Sequence, residues 1–360
     1  MAARGVAAAG EGSMKAWVTH GFNDMRLEDV TAPVCRPGWA VVKTRVVQAA
    51  ITEVQLFRGE RSNGYDLIKK RLADEGPLQL FGHEFSAEIV ELQDDGQRGL
   101  AVGDRVTAMH TRLGTIGRHF PGCFAELAAV PLDALAKMPD GVSDWEAAAL
   151  QPLSSCVGII RQLGITLGDT VVILGQGVMG LNCTQLAKAA GADTVIGVDR
   201  RQDLLDLASR LGADHTVNAS VQDTVKTVMD LTGGKGAPFV IEAASGSPKV
   251  GLSGGSTVSD GVAVAAKGGR IFSIPHFDAP VTLDFNVLRA KGITYMFPQE
   301  LAGRWEATLA ARLVVQRRVQ VEPMLTHKLG GIERVLEAME MTANKAKYGV
   351  LNPVQVRIAT

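Results

Sequence analysis

The chain has 360 residues, long for a single domain, so two are expected. With 46% hydrophobic and 21% charged residues it has the balance of a soluble globular protein with ample core. A formal net charge of −1 and a pI near 6.7 give nucleic acid or an anionic membrane no electrostatic footing, and no apolar run approaches the roughly 18 to 20 residues of a membrane span.

The opening MAARGVAAAGEGS, residues 1–13, reads as a flexible extension, too short and too weakly apolar for a secretory signal, and a cytoplasmic location is expected. Cys35, Cys123, Cys156 and Cys183 are scattered without paired spacing, which suits reduced thiols rather than a disulfide framework. From Met14 to about residue 155 the pattern is β-rich. Short apolar runs (MKAWVTHG, WAVVKTRVVQAAI, EFSAEIVEL, DRVTAMH, FAELAAVP) are broken by Gly, Pro and Asp. From WEAAALQPLSSCVGIIRQLG onward, helical patterns alternate with buried strands. Those strands are expected at Thr170–Leu174, Thr194–Val198, His215–Asn218, Pro238–Glu242 and Arg270–Ile274. The alternation predicts a doubly wound parallel sheet, an α/β domain over 156–297. After residue 298 come the helical WEATLAARLVVQRR, short strands and the helical GIERVLEAMEMTANKA. These elements are expected to return to the first domain, which would then comprise 14–155 and 298–360.

The most specific motif opens the α/β domain. VVILGQGVMG, Val171 to Gly180, is a β-branched strand leading into Gly175-Gln176-Gly177-Val178-Met179-Gly180, which fits G-x-G-x-x-G, and then into the helical LNCTQLAKAAG. Gly175 permits the tight turn, Gly177 lets the backbone approach a pyrophosphate, and Gly180 lets helix and strand pack closely. Free N–H groups at the helix start hold the phosphates. A second strand, TVIGV, ends at Asp199, 19 residues after Gly180, where a carboxylate accepts hydrogen bonds from an adenosine ribose. Among 40 glycines a bare glycine motif is weak, but strand, helix and acid at the right distance together specify a dinucleotide site. Asp199 favours NAD(H) over NADP(H), although Arg200 and Arg201 follow it and an adjacent arginine can hold a 2′-phosphate.

FGHEF (Phe81 to Phe85), GDRV (Gly103 to Val106), the FRGE run at Phe57, GGKGAPFVIEAA near Gly233 and KGGRIFSIP near Gly268 complete a pattern. From Met14 onward the chain resembles the medium-chain dehydrogenase/reductase superfamily, in particular its zinc-type alcohol and polyol dehydrogenases. The resemblance implies a GroES-like catalytic domain carrying an inserted Rossmann domain. It also implies a nicotinamide cofactor touched by Ser155, Gly175, Gly177, Val178, Met179, Gly180, Asp199, Arg200, Ala243 and Ile274.

Zinc members hold their catalytic metal in a C-G-[ST]-[DE] run, in GHE, and through a Cys, Glu or Asp before the dinucleotide domain. Here the first run is Ala50-Ile51-Thr52-Glu53, the second is intact as Gly82-His83-Glu84, and the third position is Gln151. A catalytic zinc wants three Cys, His or carboxylate ligands, so catalytic zinc is expected to be absent unless Gln151 or Cys156 is recruited. The lobe from Thr107 to Cys123 contains one cysteine, which cannot build a Cys₄ structural site.

The resemblance assigns Thr52 the hydroxyl that contacts the substrate oxygen, with His83, Glu84 and Gln151 lining the same site and Glu53 free to pair with His83. Gln55 stands where some relatives have a relay histidine, while Tyr65, His110 and His119 lie in segments that edge the pocket. Two chemistries fit: hydride transfer between nicotinamide and a secondary alcohol or ketone, or reduction of a C=C conjugated to a carbonyl. A non-catalytic nucleotide-binding protein is the alternative of another class. The expected partners are a small-molecule substrate and further copies of the chain in a homodimer or homotetramer, joined through the strand GITYMF (Gly292 to Phe297).

Overall fold

A computed structural model describes residues 12–94, 96, 98–109, 111, 113–244, 253, 255–277, 280–298 and 303–358. Most of the expected N-terminal extension, residues 1–11, and His110 lie outside the described residues. The chain begins with strands β1 (Ser13–Gly21), β2 (Asp24–Thr31) and β3 (Trp39–Gln48) and helices α1 (Ile51–Phe57) and α2 (Tyr65–Glu75). Strands β4 (Phe85–Gln93), β5 (Arg105–Ala108), β6 (Leu127–Pro131) and β7 (Leu135–Lys137) and the short helix α3 (Asp144–Ala148) follow. Then come α4 (Leu150–Leu163), β8 (Thr170–Leu174), α5 (Val178–Ala190), β9 (Thr194–Asp199), α6 (Gln202–Arg210) and β10 (His215–Asn218). Next are α7 (Thr224–Leu231), β11 (Ala237–Glu242), α8 (Ser256–Val264), β12 (Ala265–Ser273), α9 (Phe285–Lys291) and β13 (Thr294–Met296). The last elements are α10 (Arg304–Val315), β14 (Lys328–Gly330), α11 (Val335–Ala343), α12 (Lys345–Tyr348) and β15 (Gln355–Arg357).

Two compact units result: Met1–Gln151 with His327–Ala343 and Pro353–Thr360, and Pro152–Thr326 with Asn344–Asn352. The first is the β-rich unit. Its main sheet runs β14-β15-β3-β4-β5-β7, with β6 also on β3, beside the antiparallel hairpin β1-β2. Strand β3 is the hub, pairing antiparallel with β4, β6 and β15. Its run of Val41, Val42, Val46 and Val47 is fully buried, as expected of β-branched side chains covered on both faces of a sheet.

The second unit is a six-stranded parallel sheet in the order β10-β9-β8-β11-β12-β13. Three strands run one way from β8 and three the other from β11, so the order reverses between β8 and β11, the position where doubly wound sheets bind ligands. Val172, Leu174, Ile196, Val198, Val217, Val240, Val262 and Ile271 form its core cluster. Strands β8 and β10 have the expected bounds; β12 starts five residues early, at Ala265 against Arg270.

The return to the first unit falls at His327 rather than at residue 298. Helix α10 and the segment after it belong to the dinucleotide unit for a contact reason. Arg161 pairs with Glu306 and stacks on Trp305 at 4.2 Å, Gln185 exchanges hydrogen bonds with Gln320 at 2.7 and 3.1 Å, and Arg318 donates to the Ala189 carbonyl.

Candidate active site

In the dinucleotide unit the glycine turn has the geometry its residues dictate. Gly175 sits at φ +92°, and a Cβ there would lie 2.9 Å from Ala244 Cβ. A Cβ on Gly180 would lie 1.8 Å from the Gly175 carbonyl oxygen, so only glycine lets α5 start this close to the turn. A Cβ on Gly177, the N-cap of α5, would meet nothing within 4 Å. No side chain caps this 13-residue helix, so its first N–H groups, among Val178, Met179 and Gly180, are aimed into that open space. Turn and helix end thus fit a pyrophosphate.

Four adjacent strands carry four of the expected cofactor residues at their C-terminal ends. Gly175 follows β8, Asp199 ends β9, Ala243 follows β11 and Ile274 follows β12. Backbone bonds lock the set: Gly175 N to Val198 O at 2.7 Å, Ala243 N to Leu174 O at 2.8 Å, Ile274 N to Glu242 O at 2.9 Å. The half-buried Asp199 carboxylate accepts from the Gln176 amide at 2.7 Å and the Arg201 amide at 2.9 Å. The Arg201 guanidinium turns to Asp203 and to the Val350 carbonyl at 3.2 Å, while Arg200 is exposed. Ser155 is buried in α4.

Two residues of this unit carry no motif signal. Gln176, an x of the glycine motif, is fully buried; its amide donates to Ile173 O at 3.2 Å and accepts from Thr184 Oγ1 at 2.9 Å, bracing the turn from beneath. Glu242, also fully buried, accepts from the Ala244 amide at 3.0 Å and from Thr257 Oγ1 at 2.8 Å. A polar residue closing an apolar strand is the available sequence signal for Glu242.

In the β-rich unit the second cluster forms around Glu53 and His83. Phe81 at φ +64° and Gly82 at φ +85° bend the chain so that it threads against 117–124. A Cβ on Gly82 would lie 2.4 Å from the Phe124 nitrogen, and one on Gly122 1.4 Å from the Phe81 oxygen. Neither position tolerates a side chain, and the crossing fixes His83. Glu53 Oε1 accepts from the amides of Gly82 and His83 and from His83 Nδ1, the last at 2.8 Å, while Oε2 accepts from the Ala50 amide at 3.2 Å.

His83 Nε2 stands 3.7 Å from Glu84 Oε1, beyond hydrogen-bond range, and makes no hydrogen bond among the described residues. Burial of the imidazole disfavours its charge, but the charge and hydrogen bond of Glu53, helped by Glu84, outweigh that burial and the repulsion of Arg118. The His83 pKa is raised above its ordinary value. Glu84 is held by Gln48, whose carbonyl oxygen accepts from Gln355 Nε2 at 2.9 Å. Thr52 is half-buried one residue before Glu53 on α1, and Gln151 is buried in the same unit.

The other pocket-edge expectations divide. Tyr65 stacks on Phe22 at 5.0 Å, and exposed His119 accepts from the Thr115 amide at 3.1 Å, bracing its own turn. Arg118, which no sequence motif marks, lies within electrostatic reach of both Glu53 and His83.

The donors at the family's zinc positions do not fit a three-ligand catalytic zinc. Ala50 offers no donor atom, Gln151 offers a neutral amide, and His83 Nδ1 is occupied by Glu53, leaving His83 Nε2 and the Glu84 carboxylate. Cys123 is fully buried, and burial pushes its thiol pKa far up.

A β-rich unit with an intact Gly-His-Glu turn and a Rossmann unit carrying the glycine turn and Asp199 together define one class, and the chain belongs to the medium-chain dehydrogenase/reductase superfamily. The profile described as "Alcohol dehydrogenase GroES-like domain" matches residues 36–140, and that described as "Zinc-binding dehydrogenase" matches 178–310. It is an alcohol dehydrogenase-like oxidoreductase. Erythritol/L-threitol dehydrogenase of Mycolicibacterium smegmatis is 32% identical over 76% of this chain and 80% of the relative. L-threonine 3-dehydrogenase of Bacillus subtilis is 33% identical over 69% of this chain and 74% of the relative. A solved protein of Sinorhizobium meliloti, described as a zinc-binding dehydrogenase bound to NADP, superimposes with a TM-score of 0.80 at 25% identity, over 96% of this chain and 100% of that one.

Proposed function

We propose that the protein is an NAD(H)-dependent oxidoreductase that moves a hydride between nicotinamide and a secondary alcohol or ketone without a catalytic zinc. The reading rests first on His83, whose Nδ1 is fixed by Glu53 at 2.8 Å and whose Nε2 is left for a substrate oxygen. When bound, the cofactor supplies or accepts the hydride; the chain supplies position and protons. In ketone reduction negative charge grows on the substrate oxygen. A protonated His83 delivers its Nε2 proton there, and the Thr52 hydroxyl donates a hydrogen bond to the same atom. Oxidation runs the two transfers in reverse. Such donors contribute about 10²- to 10⁴-fold in rate.

Glu84 favours the imidazolium, and Gln151 is a further donor to the substrate. The adenosine ribose belongs to Asp199, whose carboxylate meets an added 2′-phosphate with like charge, while Arg201 is already engaged by Asp203. Ser155, Ala243 and Ile274 line the nicotinamide half. The names of the relatives, erythritol/L-threitol and L-threonine dehydrogenase, support a small hydroxylated substrate. NADH consumption against matched ketones and enones tests the reading. Turnover of ketones supports it, turnover of enones alone replaces it with C=C reduction, and turnover of neither overturns it.

A further inference from the structure

Resting on the oxidoreductase reading, we propose that Arg118 is a specificity residue selecting substrates that carry an anionic oxygen group, carboxylate or phosphate. Four other arginines of the same unit are paired. Arg45 pairs with Glu88 and Asp144, Arg71 with Glu75, Arg98 with Asp94 and Asp133, and Arg105 with Asp144. The half-buried Arg118 guanidinium makes no hydrogen bond or ion pair among the described residues. Its position is nonetheless held. The backbone amide donates to Thr115 O at 3.2 Å, and the carbonyl accepts from Arg71 Nη1 at 2.5 Å. The side chain lies over Gly64, where a Cβ would meet Arg118 Cδ at 2.9 Å and Nη1 at 3.5 Å. Glycine at the N-cap of α2 is thus the room the arginine uses.

The carboxylate within its electrostatic reach, Glu53, makes no hydrogen bond or ion pair with it and is engaged elsewhere. One Glu53 oxygen takes three N–H donors from Gly82 and His83, and the other takes the Ala50 amide. A guanidinium has five donors in a planar fork and cannot shed its charge at neutral pH, so removing it from water without an acceptor is unfavourable. A carboxylate or phosphate group matches that fork bidentately. Gly117, the residue before Arg118, accepts the Phe81 amide at 3.2 Å, two positions before His83, so an anionic group on Arg118 brings the rest of a small substrate towards the imidazole. Nothing is transferred at Arg118 itself; its part is to bind and orient.

The experiment compares kcat/KM for hydroxy carboxylates, polyol phosphates and neutral diols of matched length in the wild type, Arg118→Leu and Arg118→Lys. The wild type should prefer one anionic series. Arg118→Leu should lower that preference about 10- to 100-fold, chiefly through KM, as expected for a lost charged hydrogen-bonding contact, and Arg118→Lys should restore part of it. NADH affinity reports that each variant is folded. An equal loss on neutral and anionic substrates would make Arg118 a support for His83 and overturn the proposal. If no alcohol or ketone is turned over, the functional reading fails separately. Malonate and inorganic phosphate, titrated calorimetrically at constant ionic strength onto the NADH-saturated protein, then decide. Binding that Arg118→Leu abolishes supports the site; no binding, or binding the variant retains, overturns it.

Discussion

Glu53 and His83, thirty positions apart, meet at 2.8 Å through Oε1 and Nδ1, and this contact sets both the tautomer and the charge of the imidazole. A proton on Nδ1 is committed to the carboxylate, so every change of protonation occurs at Nε2. Because the His83 pKa is raised above the ordinary histidine value of 6.5, the imidazolium persists to higher pH in the folded protein than in the unfolded chain. Its stabilising contribution is therefore complete below about pH 6.5 and is lost as pH rises through the folded value. Ketone reduction should hold through neutral pH and fall on an alkaline limb. Glu53→Gln should shift that limb to lower pH. A limb at the same pH in both proteins would show that another group delivers the proton.

Thr52 and His83 should matter for turnover more than for cofactor affinity. Both belong to the β-rich unit, whereas the glycine turn and Asp199 belong to the other. Losing a donor to the developing alkoxide costs roughly 2 to 4 kcal/mol, or about 10² to 10³ in rate. Steady-state assays of Thr52→Val and His83→Ala give the rates, and stopped-flow gives NADH binding. Near-native turnover in both variants would move the acid elsewhere.

The two units differ in how far their sequences can be read. Strand β8 is legible because a β-branched run stops at a glycine that only one turn geometry explains, and the same periodicity locates β9, β10 and β11. Helix α2 is not: YDLIKKRLADE buries only Ile68, so its apolar stripe is too narrow to register. The return at His327 is displaced from the expected residue 298 because helix α10 carries no sign of which unit its alanine face joins. The Arg161, Gln185 and Arg318 contacts decide that in three dimensions. Motifs locate His83 and Thr52, but their surroundings stay hidden. Gln48 and Gln355, 307 residues apart, meet only because β15 pairs with β3. Arg118 comes within electrostatic reach of Glu53 across 65 positions, a proximity that no motif marks.

Asp199 should make NADH the tighter ligand. Its oxygens already hold the amides of Gln176 and Arg201 as an ionised acceptor, and a 2′-phosphate placed beside it meets repulsion on the order of 1 to 4 kcal/mol. Fluorescence titration should show NADPH binding at least about tenfold more weakly, a difference of roughly 1.4 kcal/mol. Asp199→Ser should narrow that gap. Equal or tighter NADPH binding by the wild type refutes the assignment.

Purified protein should carry no stoichiometric zinc, since Ala50 and Gln151 supply no anionic donor beside His83 and Glu84. Restoring both in Ala50→Cys/Gln151→Glu should create a site that retains about one zinc per chain, because a thiolate, an imidazole and a carboxylate meet the three-ligand requirement. Elemental analysis of both proteins, purified without added metal, checks this. About one zinc in the wild type would mean that His83 and Glu84 recruit a further ligand, and a chelator should then lower activity.

The strand expected to join subunits lies at the edge of the parallel sheet. β13 (Thr294–Met296) pairs with β12 on one side and is the last strand in the sheet order, so its outer edge has no partner among the described strands. An open strand edge invites a second copy, and a two-fold axis there would continue six strands into twelve. Phe297, the residue after β13, is apolar and 52% exposed. Scattered apolar residues are common on surfaces, but an exposed phenylalanine at an open strand edge suits an interface. Multi-angle light scattering at micromolar concentration should give a mass of two or four chains of 38.1 kDa. Thr294→Pro, which places a ring at the pairing edge, together with Phe297→Glu, should shift the population toward the monomer. A single 38.1 kDa species for the unmodified protein would show that the edge is left open in solution.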